Sequence, residues 1–238
     1  MNKEHQQLQN IFEQAFEQRS SIRILEAGCG SSSYLQFGSN AHITGIDISS
    51  IQLKRNSRLD ERIQGDLQTM DLPETTFDCI ICYDVLEHLS RPMDVLVKLS
   101  RALAVGGLLI LGLPNVISTK GFVTKITPHF FHVLVYRNFY GLQDVGEDDR
   151  GPFRTYLRFT LRRSSLRKFA IDHGLRTIYF KQYESPVQQQ SLDRRPALRL
   201  IWKLHRCIIR SFFLGRIDPA LSDLIIVLAK PKHIGEQS

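Results

Sequence analysis

The sequence lacks a long apolar segment and an apolar leader. No stretch gives about 18 uninterrupted apolar residues, the length that a membrane-spanning helix needs. The first ten residues, MNKEHQQLQN, have no apolar run behind their positive charge. We therefore expect neither membrane spanning nor secretion, and we place the protein in the cytoplasm. Internal repeats and low-complexity segments are also missing, so the 238 residues suit one α/β domain, 1–238.

Cysteine is scarce, with four residues at uneven spacing. That number does not suggest a disulfide framework and agrees with a reducing compartment. Cys79 and Cys82 form a CxxC inside an apolar strand pattern, where residues three apart point to opposite faces. Joint metal binding is therefore not expected, no metal site is predicted, and both thiols are interpreted as core residues.

Acidic residues are scarce in the second half only. Residues 1–114 carry 10 Lys and Arg against 14 Asp and Glu, whereas residues 115–238 carry 21 against 10. This asymmetry indicates that the second half meets an anionic substrate, a membrane surface or RNA, unless the charge is ordinary solvated charge.

The apolar pattern predicts an α/β fold. Leu8, Ile11, Phe12, Ala15 and Phe16 share one helical face. From residue 22 the period changes to short β-rich runs, RILEAG, HITGIDI, FDCIICYD and GGLLILGLP, separated by helical or turn segments. Strands that alternate with helices imply a parallel sheet. After FDCIICYD we expect a helix that Ser90 caps and that Gly106 and Gly107 end.

The second half is divided by two longer connections. Residues 115–163 interrupt the alternation and are predicted to form a cap. Residues 164–238 resume it with a helix, the strand LRTIYF and the final strand DLIIVLAK, and between these two strands a basic amphipathic helix is expected at about 196–215. Its charged face consists of Arg199, Lys203, Arg206 and Arg210. Its apolar face consists of Leu200, Ile201, Leu204, Ile208 and Phe212. The apolar face is interpreted as packing on the sheet or on a second subunit, and an anionic membrane is the alternative.

The residues that carry chemistry begin at the end of the first strand. Gly28 and Gly30 lie at a predicted strand-to-helix turn, where glycine lets the backbone bend and approach a ligand. A dinucleotide-binding protein would have a third glycine where this chain has Ser33, which weakens a nicotinamide interpretation. Asp47 ends the second strand and can accept hydrogen bonds from both ribose hydroxyls. Asp66 ends the third strand and faces the same edge, within reach of an adenine amino group.

The order of these elements resembles the class I S-adenosylmethionine-dependent methyltransferases, particularly their small-molecule and lipid-quinone branch. The segments that carry the resemblance, over about residues 22–115, are ILEAGCGSS, GIDIS, GDLQTMDLPETTFDCIICYDVLEHL and ALAVGGLLILGLPN. The resemblance implies a Rossmann-like, doubly wound and mostly parallel sheet of seven strands. The first half, 1–114, would bind S-adenosyl-L-methionine. The implied cofactor-binding residues are Glu26, Gly28, Cys29, Gly30, Asp47, Ile48, Asp66, Leu67, Tyr83 and Asp84.

The implied reaction needs no covalent residue, because methyl transfer from a sulfonium is an in-line displacement that depends on alignment. A hydroxyl acceptor would need a base, for which His88, His129 and His132 are the candidates. Simple packing is an equally good interpretation of each histidine.

The acceptor is narrowed by motifs that the chain lacks. CYDV stands where DNA amino-methyltransferases resemble one another in an Asn/Asp-Pro-Pro-aromatic tetrapeptide. The Pro-Cys pair of RNA cytosine-carbon methyltransferases is also missing. The sequence therefore favours a small-molecule or lipid-like acceptor over nucleic acid. The alternatives are an RNA methyltransferase that uses the basic half and a non-catalytic cofactor-binding regulator or scaffold.

Overall fold

The computed structural model describes residues 3–127, 153 and 155–232. The strands are β1 (Ile22–Ala27), β2 (Ala41–Asp47), β3 (Glu61–Gln64), β4 (Phe77–Tyr83), β5 (Leu103–Pro114), β6 (Arg176–Tyr183) and β7 (Asp223–Ala229). The α-helices of the described ranges are α1 (Lys3–Phe16), α2 (Ser50–Arg55), α3 (Pro92–Ala102), α4 (Thr119–Ile126), α5 (Arg163–Asp172), α6 (Pro186–Asp193) and α7 (Pro196–Phe212). Single 3₁₀ turns lie at Leu86–His88 and Phe159–Leu161.

The strands form one seven-stranded sheet in the order β3-β2-β1-β4-β5-β7-β6. Strands β1 to β5 pair in parallel, and β7 runs antiparallel between β5 and β6. The prediction of a Rossmann-like, mostly parallel seven-stranded sheet is confirmed. The carboxyl ends of β1, β2 and β4 consequently meet at one edge, which is where ligands bind in such sheets.

Alternate residues of the central strands build two hydrophobic cores, one on each face of the sheet. On β4, Ile80 and Cys82 face the core that α3 and α5 cover, whereas Cys79 and Ile81 face the core that α1 covers. The two thiols are fully buried on opposite faces, and burial raises the pKa of each. The interpretation of this CxxC as core cysteines is confirmed.

Helix α1 closes the second face. Its side chains Leu8, Phe12 and Phe16 are buried, as the 3.6-residue pattern predicts, and each such burial contributes about 1.5–3 kcal/mol. Gln9 donates from Nε2 to the carbonyl of Gln36 across 2.8 Å and accepts from the amide of Gln36 across 2.9 Å. This reciprocal pair ties α1 to the connection between β1 and β2.

The predicted helix after the glycine bend is wrong. Residues 28–40 contain only turns and bends before β2 begins. This connection must supply the tight bend and then return to the start of β2, which leaves too few residues for a helix of ordinary length, about 11. Helix α1 and the buried Leu35 fill part of the space above this face instead.

Both predicted ends of the helix after β4 also differ. Helix α3 has Arg91 at its N-cap position, and Ser90 donates to the side chain of Gln68 instead of capping the helix. The helix ends at Ala102, and Gly106 and Gly107 lie inside β5. A side chain at Gly107 would meet the carbonyl oxygen of Asp78 at 2.7 Å, so this glycine permits close strand packing.

The region predicted as a cap is described only in part, with α4 at its start. Helices α6 and α7 lie between β6 and β7, so the basic amphipathic helix expected at about 196–215 is observed at Pro196–Phe212. No helix among the described residues combines the length and the apolar character that crossing a membrane requires.

Candidate active site

The glycine bend lies at the carboxyl end of β1. Gly28 and Gly30 have φ of +74° and +54°, which is left-handed backbone that glycine adopts without strain. The amides of Gly28 and Cys29 both donate to the carbonyl of Ile46, at 2.7 and 3.1 Å. These two bonds hold the bend against the end of β2.

The side chain of Asp47 joins the same bend. Its Oδ2 accepts from the Gly30 amide at 2.9 Å, and its Oδ1 accepts from the Ser49 amide at 2.9 Å. Each carboxylate oxygen has two acceptor positions. The carboxylate therefore keeps one acceptor position on each oxygen for a ligand.

Glu26 lies beneath the loop as a buried carboxyl group. It accepts from the Ser33 hydroxyl at 2.6 Å and from the Tyr34 amide at 3.2 Å. Burial raises its pKa, although these two hydrogen bonds act in the opposite direction. Glu26 thus fixes the segment that follows the glycines.

Cys29 and Ile48 have opposite exposure. The Cys29 side chain is buried beside Gly45, where a Cβ would lie 2.9 Å from its Sγ. Burial raises the pKa of this thiol to about 12, so the thiol stays protonated and only its backbone is available to a ligand. Ile48 is 70% exposed directly after Asp47 and offers an apolar surface at the sheet edge.

Asp66 begins a compact turn beyond β3. Its Oδ1 accepts from the Gln68 amide at 2.8 Å, and Leu67 between them is buried. The Lys98 ammonium group donates to the carbonyls of Gln68 and Met70 at 3.0 and 2.7 Å. The Gly65 amide donates to the Asp47 carbonyl at 3.0 Å, so this turn adjoins the end of β2.

Tyr83 ends β4 within an aromatic cluster. Its ring stacks on Tyr34 with centroids 3.5 Å apart, and its hydroxyl lies 2.7 Å from that of Tyr183. A Cβ at Gly112, its neighbour on β5, would overlap the ring, so only glycine leaves room for it. Burial raises the pKa of Tyr83, which therefore remains neutral.

Asp84 follows with φ of +54° and its amide bonded to the carbonyl of Gly112 at 2.9 Å. The surrounding protein desolvates this carboxyl group, and the Asp223 carboxylate adds repulsion. Together they raise its pKa to about 6, while Lys120 acts in the opposite direction. Asp84 is nevertheless exposed to solvent, so a ligand at the end of β4 can reach it.

Glu87 and His88 form a 3₁₀ turn beyond Asp84. Glu87 is buried, and its Oε2 has no hydrogen-bond partner among the described atoms. Burial, followed by the charge of Asp84, raises its pKa well above the usual value. His88 lies with Nε2 3.8 Å from Glu87 Oε1 and Nδ1 3.4 Å from the Thr155 hydroxyl. His129 and His132 lie outside the described residues.

Comparison with known proteins identifies this region. A family model described as "Methyltransferase domain" matches residues 25–111. Residues 25–111 thus match a methyltransferase domain, which agrees with the resemblance to the class I S-adenosylmethionine-dependent methyltransferases. The cofactor of this domain is S-adenosyl-L-methionine.

Curated relatives of the methyltransferase domain act in quinone biosynthesis, according to their names. The mitochondrial ubiquinone biosynthesis O-methyltransferase of Schizosaccharomyces pombe is 35% identical over 106 residues, which cover 39% of this chain and 38% of the relative. The ubiquinone biosynthesis O-methyltransferase of Maricaulis maris is 30% identical over 136 residues, which cover 48% of this chain and 53% of the relative. The matched part is thus about half or less of each relative.

A solved structure supports the fold over a greater length. The S-adenosylmethionine-dependent methyltransferase of Mesorhizobium loti superimposes with a TM-score of 0.53 at 15% identity, covering 92% of this chain and 96% of the other. At that identity the similarity concerns the fold alone.

Three features of the candidate site fit this cofactor. A Cβ at Gly30 would meet nothing within 4 Å, so open space lies in front of the bend. Asp47 retains acceptor positions for ribose hydroxyls. The carboxyl groups of Asp84 and Asp223 suit a ligand that carries a sulfonium and an ammonium group.

Sequence reasoning missed part of the site. Tyr34 lies in the connection after the glycines, whereas Tyr183 and Asp223 come from β6 and β7, far along the chain. Asp223 lies opposite Pro114 in the antiparallel register and pairs with Lys120 at 3.4 Å. Of these three residues, only Tyr34 carries a signal in the sequence, because it directly follows the serines 31–33 after the glycine bend. Tyr183 and Asp223 carry none, because composition does not reveal the register of β7.

Proposed function

We propose that the protein transfers the methyl group of S-adenosyl-L-methionine to a small-molecule or lipid-like acceptor by in-line displacement. The observation that carries this proposal is the hydrogen bond between Asp47 and the Gly30 amide, inside a matched methyltransferase domain. It brings the carboxylate that would bind the ribose and an open glycine bend to one edge of the sheet. The names of the curated relatives, ubiquinone biosynthesis O-methyltransferases, support an acceptor of the small-molecule or lipid-quinone kind.

The cofactor would be held by backbone and side-chain groups of four strand ends. Gly28, Cys29 and Gly30 would line its methionine portion through their backbone, with Glu26 fixing the loop. Asp47 would bind the ribose. The remaining proposed contacts are Ile48, Asp66 and Leu67 at adenine, and Tyr83 and Asp84 near the sulfonium and its amino group.

When bound, the cofactor supplies an activated methyl group, so the chain mainly has to align the acceptor with it. Such alignment is worth about 7–11 kcal/mol in well-oriented systems. The carboxyl groups of Asp84 and Asp223 would attract the cationic centre to the end of β4. Burial and the charge of Asp223 raise the pKa of Asp84 to about 6, so most of this group would be ionised at neutral pH.

A hydroxyl acceptor would have to lose its proton, and we propose His88 as the base. It lies at the same strand end as Asp84, and imidazole titrates near neutral pH. Its contacts with Glu87 and Thr155 would orient the ring. His129 and His132 remain further candidates.

The location that fits this function is the cytoplasm with peripheral contact to a membrane, where lipid-like acceptors reside. The part of this chain that would make the contact is α7.

Titration calorimetry tests the cofactor assignment. We expect the intact chain to bind S-adenosyl-L-methionine and Asp47→Ala to bind it at least tenfold more weakly, since ribose hydrogen bonds to a charged acceptor contribute about 1.5–3 kcal/mol each. Asp94→Ala is the matched control, because Asp94 is an exposed carboxylate on α3. Equal binding by the Asp47 and Asp94 variants, with both folded by circular dichroism, would refute the assignment.

The acceptor is sought by incubating the chain with methyl-labelled cofactor and fractionated cell extract, followed by mass spectrometry. Label in a small-molecule or lipid fraction supports the proposal. Label confined to nucleic acid, or cofactor binding without any labelled product, would contradict it.

A further inference from the structure

Helix α7 presents an apolar stripe to solvent. None of its 17 residues is buried, which is unusual for a helix whose pattern is so strongly amphipathic. The stripe consists of Leu200, Ile201, Leu204, Ile208 and Phe212, which are between 57% and 78% exposed. The expectation that this face packs on the sheet is therefore wrong.

The orientation of α7 is set by its opposite face. Trp202, His205 and Ile209 are partly covered by the protein, and His205 Nε2 lies 2.8 Å from the Thr119 hydroxyl at the start of α4. Arg206 binds Asp218 through two nitrogens, with distances of 2.9 and 2.7 Å. Because these contacts fix the helix, the outward position of the apolar stripe is a feature of the fold.

The charge of the chain is concentrated around the same helix. Residues 194–216 contain seven Lys and Arg and no Asp or Glu, so the remaining residues carry 24 Lys and Arg against 24 Asp and Glu. Asp193 and Asp218, which flank this segment, pair with Arg199, Arg206 and Arg210. The side chains of Arg199 and Arg210 nevertheless remain about half exposed.

We propose that α7 docks on the surface of an anionic lipid bilayer, with its apolar stripe inserted between the headgroups and its cations on the lipid phosphates. A cationic face opposite an apolar stripe, on a helix that lies parallel to the surface, is the pattern of interfacial helices. The proposal is independent of methyl transfer, but it places the bilayer next to Thr119 and Lys120, beside the candidate active site.

Other occupants match only part of the surface. RNA would use the cations but leave the Leu and Ile side chains exposed, since these offer neither charge nor an aromatic ring for stacking. A second copy on a two-fold axis would bring two cation-rich segments together, at an electrostatic cost. Of these three occupants, an anionic bilayer is the one that satisfies the stripe and the charge at once.

Co-sedimentation of the full chain with vesicles tests the proposal. We expect binding to vesicles of phosphatidylcholine mixed with phosphatidylglycerol, and little binding to phosphatidylcholine alone. Leu204→Glu should weaken binding at least tenfold, because it places a charge in the inserted stripe. Ile171→Glu is the matched control: Ile171 is 77% exposed on α5, away from the stripe, so this variant should bind as the unmodified chain does.

The electrostatic part is tested by Lys203→Ala, which should weaken binding to anionic vesicles about fivefold, since each cation near the surface contributes about 1 kcal/mol. Lys168→Ala on α5 is the control and should leave binding unchanged. Raised salt should weaken binding of the unmodified chain.

Insertion can be followed directly through Cys207. It is exposed on α7, one turn from Lys203 and Leu204, whereas Cys29, Cys79 and Cys82 are buried. A polarity-sensitive fluorophore attached to Cys207 should shift to the blue with anionic vesicles and not with neutral ones.

Three results would overturn the proposal: equal binding to neutral and anionic vesicles, a stable dimer that Leu204→Glu dissociates, or RNA binding that Lys203→Ala weakens while vesicle binding is absent. Calorimetry with S-adenosyl-L-methionine separates this proposal from the proposed function. Leu204→Glu should bind the cofactor normally, so loss of vesicle binding alone leaves the enzymatic assignment intact.

Discussion

The Asp47 carboxylate accepts a hydrogen bond from the Gly30 amide across 2.9 Å, so the end of β2 directly holds the bend that follows β1. The other oxygen of the same carboxylate accepts from the Ser49 amide, which begins α2. One side chain therefore links three elements while retaining acceptor capacity for a ligand. This double role leads to the first prediction.

Asp47→Asn should lower the free energy of unfolding by about 1–3 kcal/mol even without cofactor, because an amide offers only one acceptor oxygen and one backbone donor loses its partner. Urea denaturation of the unliganded protein measures this. Asp94→Asn, an exposed substitution on α3, should change stability by less than about 0.5 kcal/mol. Equal stability of the two variants would show that Asp47 does not hold the loop.

Gly28→Ala should destabilise the protein more than Gly174→Ala. Both glycines have positive φ, +74° and +67°, so both substitutions introduce backbone strain of about 1 kcal/mol. At Gly28 the new Cβ would also lie 2.3 Å from a methyl group of Val85, whereas at Gly174 it meets nothing within 4 Å. Overpacking of this kind costs about 1–3 kcal/mol more.

The double variant Gly28→Ala with Val85→Ala isolates that contact. Removing the Val85 methyl groups should recover part of the loss, so the two effects should not add. Strict additivity in thermal or urea denaturation would contradict the close approach of Gly28 and Val85.

Glu87→Gln should change how stability depends on pH. Burial and the charge of Asp84 raise the pKa of Glu87, so the folded chain keeps this proton at pH values where the unfolded chain has lost it. The free energy of unfolding of the unmodified protein should therefore fall as pH rises from the usual Glu value of 4.5 through the raised pKa. Glutamine cannot ionise, so the free energy of unfolding of Glu87→Gln should rise relative to that of the unmodified protein as pH increases.

Urea denaturation over a pH series measures this difference, with Glu74→Gln as the control at an exposed position. The free energies of unfolding of the Glu87 and Glu74 variants would change in parallel with pH across the series only if Glu87 behaves as an exposed residue does. Parallel curves would therefore show that the carboxyl group of Glu87 is not desolvated in the folded protein.

Tyr83→Phe should cost about 1–2 kcal/mol of stability, since the hydroxyl of Tyr183 loses a partner at 2.7 Å in a buried cluster. Tyr179→Phe is the control, because this tyrosine lies on β6, the strand of Tyr183, and is partly exposed. A double-mutant cycle of Tyr83→Phe and Tyr183→Phe measures the coupling and should show non-additive losses. Additive losses would mean that the two hydroxyls do not interact.

The sequence predicted the parallel part of the fold because its signals are local. Runs of alternating or continuous apolar residues indicate strands, and the carboxyl ends of parallel strands meet at one edge. Gly28, Gly30 and Asp47 can therefore be assigned to one edge of the sheet from the sequence alone. The helix after the glycine bend was predicted wrongly, because the usual order of elements does not reveal that α1 and Leu35 occupy part of that space.

The sequence by itself thus determined the mostly parallel sheet, the pairing of glycines with an acidic residue at one edge of it, and the two faces of α7. Only the tertiary structure decided that Tyr183 and Asp223 reach this edge, because the antiparallel register of β7 brings them there from β6 and β7. It also decided that the apolar stripe of α7 faces solvent. A periodic pattern states which residues share a face, but what covers that face depends on where distant segments dock, and that is set by long-range packing.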